Sequence, residues 1–134
     1  MKRSANTRRA GGFTLIEMMI VISLIVILIS IAVPVYNNAI LRAKEATLRQ
    51  DLFTLRDVIS QYTLDKKKAP QALDDLVQAN YIRQIPKDPF TGQANWTTEQ
   101  EDSQMAVDQT QPGIVDVHSS SSLAGTDGTA YSTW

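Results

Sequence analysis

One carboxylate, Glu17, stands at the polar end of the stretch GGFTLIEMMIVISLIVILISIAVPVY. An ionised side chain beside hydrocarbon costs about 2.5–3.5 kcal/mol on insertion scales, so such a group either snorkels to the interface or finds a partner. The residues before it offer one. Gly11 and Gly12 are small, as at a proteolytic cut, and a cut after Gly12 leaves Phe13 as a new first residue with a cationic α-amine. Glu17 then lies about one helical turn on. In a staggered bundle of such helices its carboxylate can pair with the amine of a neighbouring subunit, neutralising both charges away from water. Snorkelling and pairing are both open readings of Glu17 at this level.

A second set of oxygen donors lies at the far end. Asp116 and Ser119 in the run DVHS, and Asp127 in TDG, belong to a polar stretch rich in hydroxyls. Calcium takes six to eight oxygens from carboxylates, carbonyls, hydroxyls and water in a flexible loop, so calcium is the candidate cofactor here. The competing reading is a hydrogen-bonded loop capped by Trp134 packing on the domain. His118 is the only histidine and there is no cysteine, so no zinc site is expected. No serine stands in a nucleophile elbow, and a Ser–His–Asp triad would draw on an irregular tail; no catalytic residues and no enzyme are expected.

The element that must position Glu17 is apolar and long. Met18 to Val35 carry no charge, and Phe13 to Ile16 extend the apolar character across Glu17. A membrane-spanning helix needs about 20 such residues. A secretory signal has a shorter apolar core, about 7–15 residues, followed by a small-residue cleavage site, and no such site follows this run. The flank before it carries Lys2, Arg3, Arg8 and Arg9 and no acid, which by the positive-inside rule keeps the N-terminus cytoplasmic. Beyond the flank, nine of the 13 basic side chains meet all 14 acidic ones, a balance of −5, so the chain is no broadly basic nucleic-acid binder.

Pro34 removes one backbone bond and is expected to kink or locally melt the helix. Past it, Leu41, Leu48, Leu52, Leu55, Ile59 and Tyr62 fall on one face at helical spacing, predicting a single long helix from Phe13 to Leu64. Its first half suits lipid or like helices and its second half packs on a small domain. Lys66-Lys67-Lys68-Ala69-Pro70 ends it, with cations complementing the helix dipole. Leu73, Leu76, Val77 and Tyr81 predict a short second helix, IPKDPFTG a loop, and NWTT, SQMAV and GIVDV two or three weak antiparallel strands. The tail should be irregular. A soluble part of roughly 95 residues has a thin core.

The run G-F-T-L-I-E ahead of a long apolar helix resembles the leader signal of type IV pilins and of the pseudopilins of type II secretion, over Gly12 to Pro34. The resemblance implies that a prepilin peptidase cuts between Gly12 and Phe13 and methylates the Phe13 amine, that Glu17 sets subunit registry, and that Pro34 bends the helix. Asp88-Pro89-Phe90-Thr91-Gly92 resembles a family turn with one residue inserted. Asp116, Ser119 and Asp127 align onto the family's calcium loop, with a longer gap after Ser119, and Tyr131, Ser132 and Trp134 stand where that loop has further acids. The fold implied is α+β and pilin-like: a long N-terminal α-helix, its first half transmembrane, packed on a small antiparallel β-sheet with an irregular C-terminal loop. Residues 1–12 are then a cleaved leader, 13–36 the transmembrane assembly helix and 37–134 a periplasmic domain. The implied function is a structural subunit of a secretion pseudopilus, a helical homo-oligomer in contact with other pseudopilins and the inner-membrane secretion platform. The alternative is a type IV pilus pilin, which commonly carries a disulfide loop; the lack of cysteine leans toward secretion.

Overall fold

The computed structural model describes residues 11–101, 107 and 112–134. The basic residues Lys2, Arg3, Arg8 and Arg9 lie outside it, as does the expected strand SQMAV apart from Val107. The chain divides into two compact units, Met1–Ala39 and Ile40–Trp134. Helix α1, Leu15–Lys66, contributes residues to both.

In the first unit every residue from Gly11 to Ala39 is exposed. The helix starts at Leu15 rather than Phe13, because Thr14 caps it: its hydroxyl oxygen accepts the Glu17 N–H at 3.2 Å, and its carbonyl accepts the Met18 N–H. Inside the apolar run, Ser23 donates to the Met19 carbonyl and Ser30 to the Ile27 carbonyl, so neither hydroxyl faces hydrocarbon unpaired. The helix is unbroken through Pro34, so the proline does not melt it. An α-helix satisfies its backbone internally, which holds the segment helical despite its many β-branched residues.

In the second unit α1 becomes amphipathic. Leu48, Leu52, Leu55, Val58, Ile59 and Tyr62 are buried, the stripe read from the sequence with Val58 added; Leu41 is half-buried. Lys67 adopts a left-handed φ of 57° directly after the helix, a common helix-ending conformation, and Pro70 follows. Helix α2 covers Leu73–Gln78, with Asp75 accepting the N–H groups of Gln71 and Ala72 at its start. It inserts Leu76, fully buried, into the same core.

Two strands complete the domain, β1 over Thr97–Glu101 and β2 over Gly113–His118, paired antiparallel with Glu99 opposite Asp116. Gln100 pairs with Ile114, so Val115 is an extra residue on β2. This bulge breaks the two-residue alternation: Ile114 and Val117, three apart, both bury, and Asp116 and His118 are left at the partly exposed surface. Trp96 closes the core, donating its ring N–H to the Pro86 carbonyl at 2.9 Å. The tail is irregular as expected, save an isolated bridge between Ala124 and Ala130 and a 3₁₀ turn over Tyr131–Thr133.

Candidate functional site

The N-terminal segment combines an apolar surface with one acid. Phe13, Leu15, Ile16 and the following large apolar side chains to Tyr36 are all exposed, with mean hydropathy reaching 3.0 over an 18-residue window and none of that window buried. A helix apolar all round belongs in lipid or among other helices. Gly12 and Phe13 precede the helix without regular secondary structure, and both are exposed. Glu17 lies in the first turn, where a negative charge suits the dipole. Among the described residues its carboxylate has no ion-pair partner. Thr14 was not singled out by sequence reasoning, although the spacing T-x-x-E over Thr14–Glu17 is a capping-box signal that would have found it.

In the second unit the C-terminal loop is held by side chains of α1. Glu45 is almost completely buried, and its carboxylate accepts the Thr126 N–H and hydroxyl, each at 2.7 Å, and the Tyr131 hydroxyl at 3.0 Å. Arg49 stacks on the Trp134 ring at 4.2 Å. Arg56 donates to Asp116 Oδ1 at 2.5 Å, to the Val117 carbonyl and to the main-chain oxygen of Trp134. Gly125 admits the crossing of the loop: a Cβ there would meet the Trp134 ring at 2.8 Å and Tyr131 at 3.1 Å. Tyr131, fully buried, stacks on Phe90 with ring centroids 3.9 Å apart and meets Trp134 edge-on. Glu45 was missed from the sequence because a glutamate on an amphipathic helix reads as a solvated face.

The three residues aligned to a calcium loop go to separate partners. Asp116 binds Arg56, Ser119 donates its hydroxyl to the buried Asp88, and Asp127 accepts the N–H and hydroxyl of Thr129. Calcium needs converging oxygens, and Asp116 Oδ1, the Ser119 hydroxyl and Asp127 Oδ1 are each engaged with a different partner. As arranged, Asp116, Ser119 and Asp127 do not fit one calcium cage. The Trp134-capped loop is the arrangement found. Asp88 instead organises the DPFTG turn, accepting the N–H groups of Phe90 and Thr91, and Gly92 adopts φ 71°, which favours glycine.

The loop carries a pH dependence. The Thr126 hydroxyl, with the Thr126 N–H and Tyr131 hydroxyl, holds the Glu45 carboxyl below the usual glutamate range against the burial that would raise it. The Thr129 hydroxyl and N–H do the same for Asp127. Both carboxylates therefore stabilise the fold above the ordinary carboxylate range, and that contribution is lost as pH falls through and below about 4. Asp51 works the other way, raised by burial and by Asp88 nearby, and offsets part of the loss. Burial and the bond to Glu45 push the Tyr131 hydroxyl up to about 12, so its contribution is intact below about pH 10 and lost as pH rises toward that value. Melting temperature measured across pH should fall on the acid side in the wild type and fall less steeply in Glu45→Gln.

Residues 7–33 match the prokaryotic N-terminal methylation motif. The chain is 31% identical over 134 residues to type II secretion system core protein G of Klebsiella michiganensis, covering 87% of each chain. It is 32% identical over 99 residues to core protein G of Aeromonas hydrophila, covering 62% of this chain and 69% of that one. It is also 38% identical over 71 residues to the type IV major fimbrial protein FimA of Dichelobacter nodosus, with 53% of this chain and 44% of that protein covered, so it spans less than half of the fimbrial protein's length. No solved structure matches the chain.

Proposed function

The chain belongs to the family of type II secretion system core protein G, and from that membership we propose that it is the structural subunit of a secretion pseudopilus. It is a single-pass, membrane-anchored pseudopilin that assembles through its N-terminal helix into a filament serving protein export. Contacts of identical subunits that do not close on themselves generate such filaments. The observation that carries this reading is the exposed apolar run from Phe13 to Tyr36, with one carboxylate at its polar end that has no ion-pair partner among the described residues. A monomer with such a surface needs lipid or copies of itself to cover it. The finer picture extends this. A prepilin peptidase cuts after Gly12 and methylates Phe13, and Glu17 meets that amine in a neighbouring subunit. The basic flank holds the N-terminus in the cytoplasm, and the second unit lies in the periplasm of a bacterial envelope beside other pseudopilins and the inner-membrane platform. Family and fold are those of a structural protein.

The motif match over residues 7–33 supports the peptidase step, and it is tested at Gly12. Gly12→Ala, with a side chain at the cut, should leave an uncut precursor heavier by the twelve-residue leader, seen by intact-mass spectrometry of the membrane fraction. A normal mature product would remove peptidase recognition from the account. The pilus reading keeps one observation in its favour, the similarity to the fimbrial protein. Surface fibres that retract, rather than periplasmic filaments, would favour it.

A further inference from the structure

Strand pairing brings three potential ligands to one surface of the sheet. Glu99 sits opposite Asp116, and His118 is two residues along the same strand. The His118 Nδ1 lies 2.6 Å from the main-chain oxygen of Trp134, an atom that only accepts, and 3.5 Å from the Arg56 Nη2 donor; the much shorter contact to the oxygen assigns the proton to Nδ1. Nε2 then turns its lone pair toward Glu99 Oε1 at 3.5 Å and Asp116 Oδ2 at 3.7 Å. Three acceptors facing one another repel unless a cation lies between them. A second proton on the ring would supply one, but a charge-assisted N–H···O bond closes to about 2.7–2.9 Å. The observed separations correspond better to neighbouring ligands on a metal: at metal–ligand lengths of about 2.0–2.2 Å, tetrahedral ligands stand about 3.4 Å apart. All three ligand atoms fall within 4.8 Å of one another.

Two further contacts, made by residues outside the trio, suit that role. The Trp134 oxygen fixes the histidine tautomer, the outer-shell bond that metal-binding histidines usually make. Arg56 holds Asp116 by Oδ1 and leaves Oδ2 facing His118. We propose that Glu99, Asp116 and His118 form a zinc site, completed by water, that clips β1 to β2 beside Trp134. The mixed nitrogen and carboxylate donors suit zinc and its first-row neighbours, whereas calcium wants an all-oxygen shell. A lone histidine excluded zinc at the level of sequence, since the carboxylate on β1 enters only through strand pairing.

The test uses the full-length chain in detergent, without a histidine tag and stripped with chelator. Cobalt(II) should give a saturable visible absorption at one equivalent, displaced by zinc, and zinc should raise the melting temperature while calcium leaves it unchanged. His118→Gln should abolish the cobalt spectrum, and Glu99→Gln should weaken binding by about 10–100-fold, the range that follows loss of even an outer-shell partner. Metal-free melting curves matching the wild type establish that both variants fold. Should His118→Gln fail to fold, Glu99→Gln decides alone, since that side chain is 58% exposed and carries little packing. No cobalt spectrum in the wild type, an unchanged spectrum in His118→Gln, or wild-type affinity in Glu99→Gln overturns the site.

Discussion

Glu17→Ala should insert in the membrane and be cut as the wild type is, yet fail to form filaments. The two outcomes have opposite physical signs. Removing the carboxylate takes away an insertion cost that reaches about 2.5–3.5 kcal/mol at the membrane centre and is smaller at the polar end, so the variant is the better membrane segment. On the proposed pairing, the same change leaves the Phe13 amine of a neighbouring subunit without its counter-charge. Breaking a buried pair by removing one partner costs about 3–5 kcal/mol, more than a hundredfold in the association constant at each contact. A polymer makes this contact at every subunit, so filament yield should collapse. The check is electron microscopy of filaments alongside intact mass of the membrane-bound protein. Wild-type filaments from Glu17→Ala would end the pairing account; uncut precursor would show that Glu17 acts at processing instead. Glu17→Gln keeps shape and removes charge, and it should behave as Glu17→Ala does.

Tyr131→Ala should be the most damaging single change in the second unit. The ring is fully buried, stacks on Phe90, meets Trp134 edge-on and donates to Glu45. Truncating a buried aromatic costs about 3–5 kcal/mol, a large share of the 5–15 kcal/mol that holds a typical domain folded. For a domain of this size the melting temperature should drop by about 12 °C or more. Tyr131→Phe keeps the stacking and loses only the hydroxyl, so it should lie between the wild type and Tyr131→Ala. Equal melting temperatures for Tyr131→Ala and wild type would mean that the loop contributes nothing to the domain.

Helix α1 was legible almost entirely. Its apolar run and the stripe from Leu48 to Tyr62 are periodic features, and periodicity reports a helix whichever partner later covers it. The helix end at Lys66 and the turn at Asp88–Gly92 were legible too, since Pro and Gly restrict the backbone locally. Melting at Pro34 was not observed, because one missing backbone bond does not break a helix whose other bonds persist. The C-terminal loop was legible in composition but not in contacts. Asp116, Ser119 and Asp127 look like a ligand set in one dimension, but each is taken by a group distant in sequence or by a local turn.

The amino-acid sequence by itself determined the long apolar helix, the basic flank before it and the single acid at its polar end, because those properties depend on hydropathy, charge and spacing within a few turns of one helix. Only the tertiary structure decided that Glu45 is a buried anchor rather than a surface acid, that Arg56 claims Asp116, and that Glu99 faces His118. Those facts come from loop closure and from strand pairing. Contacts between residues far apart along the chain leave no local pattern to read.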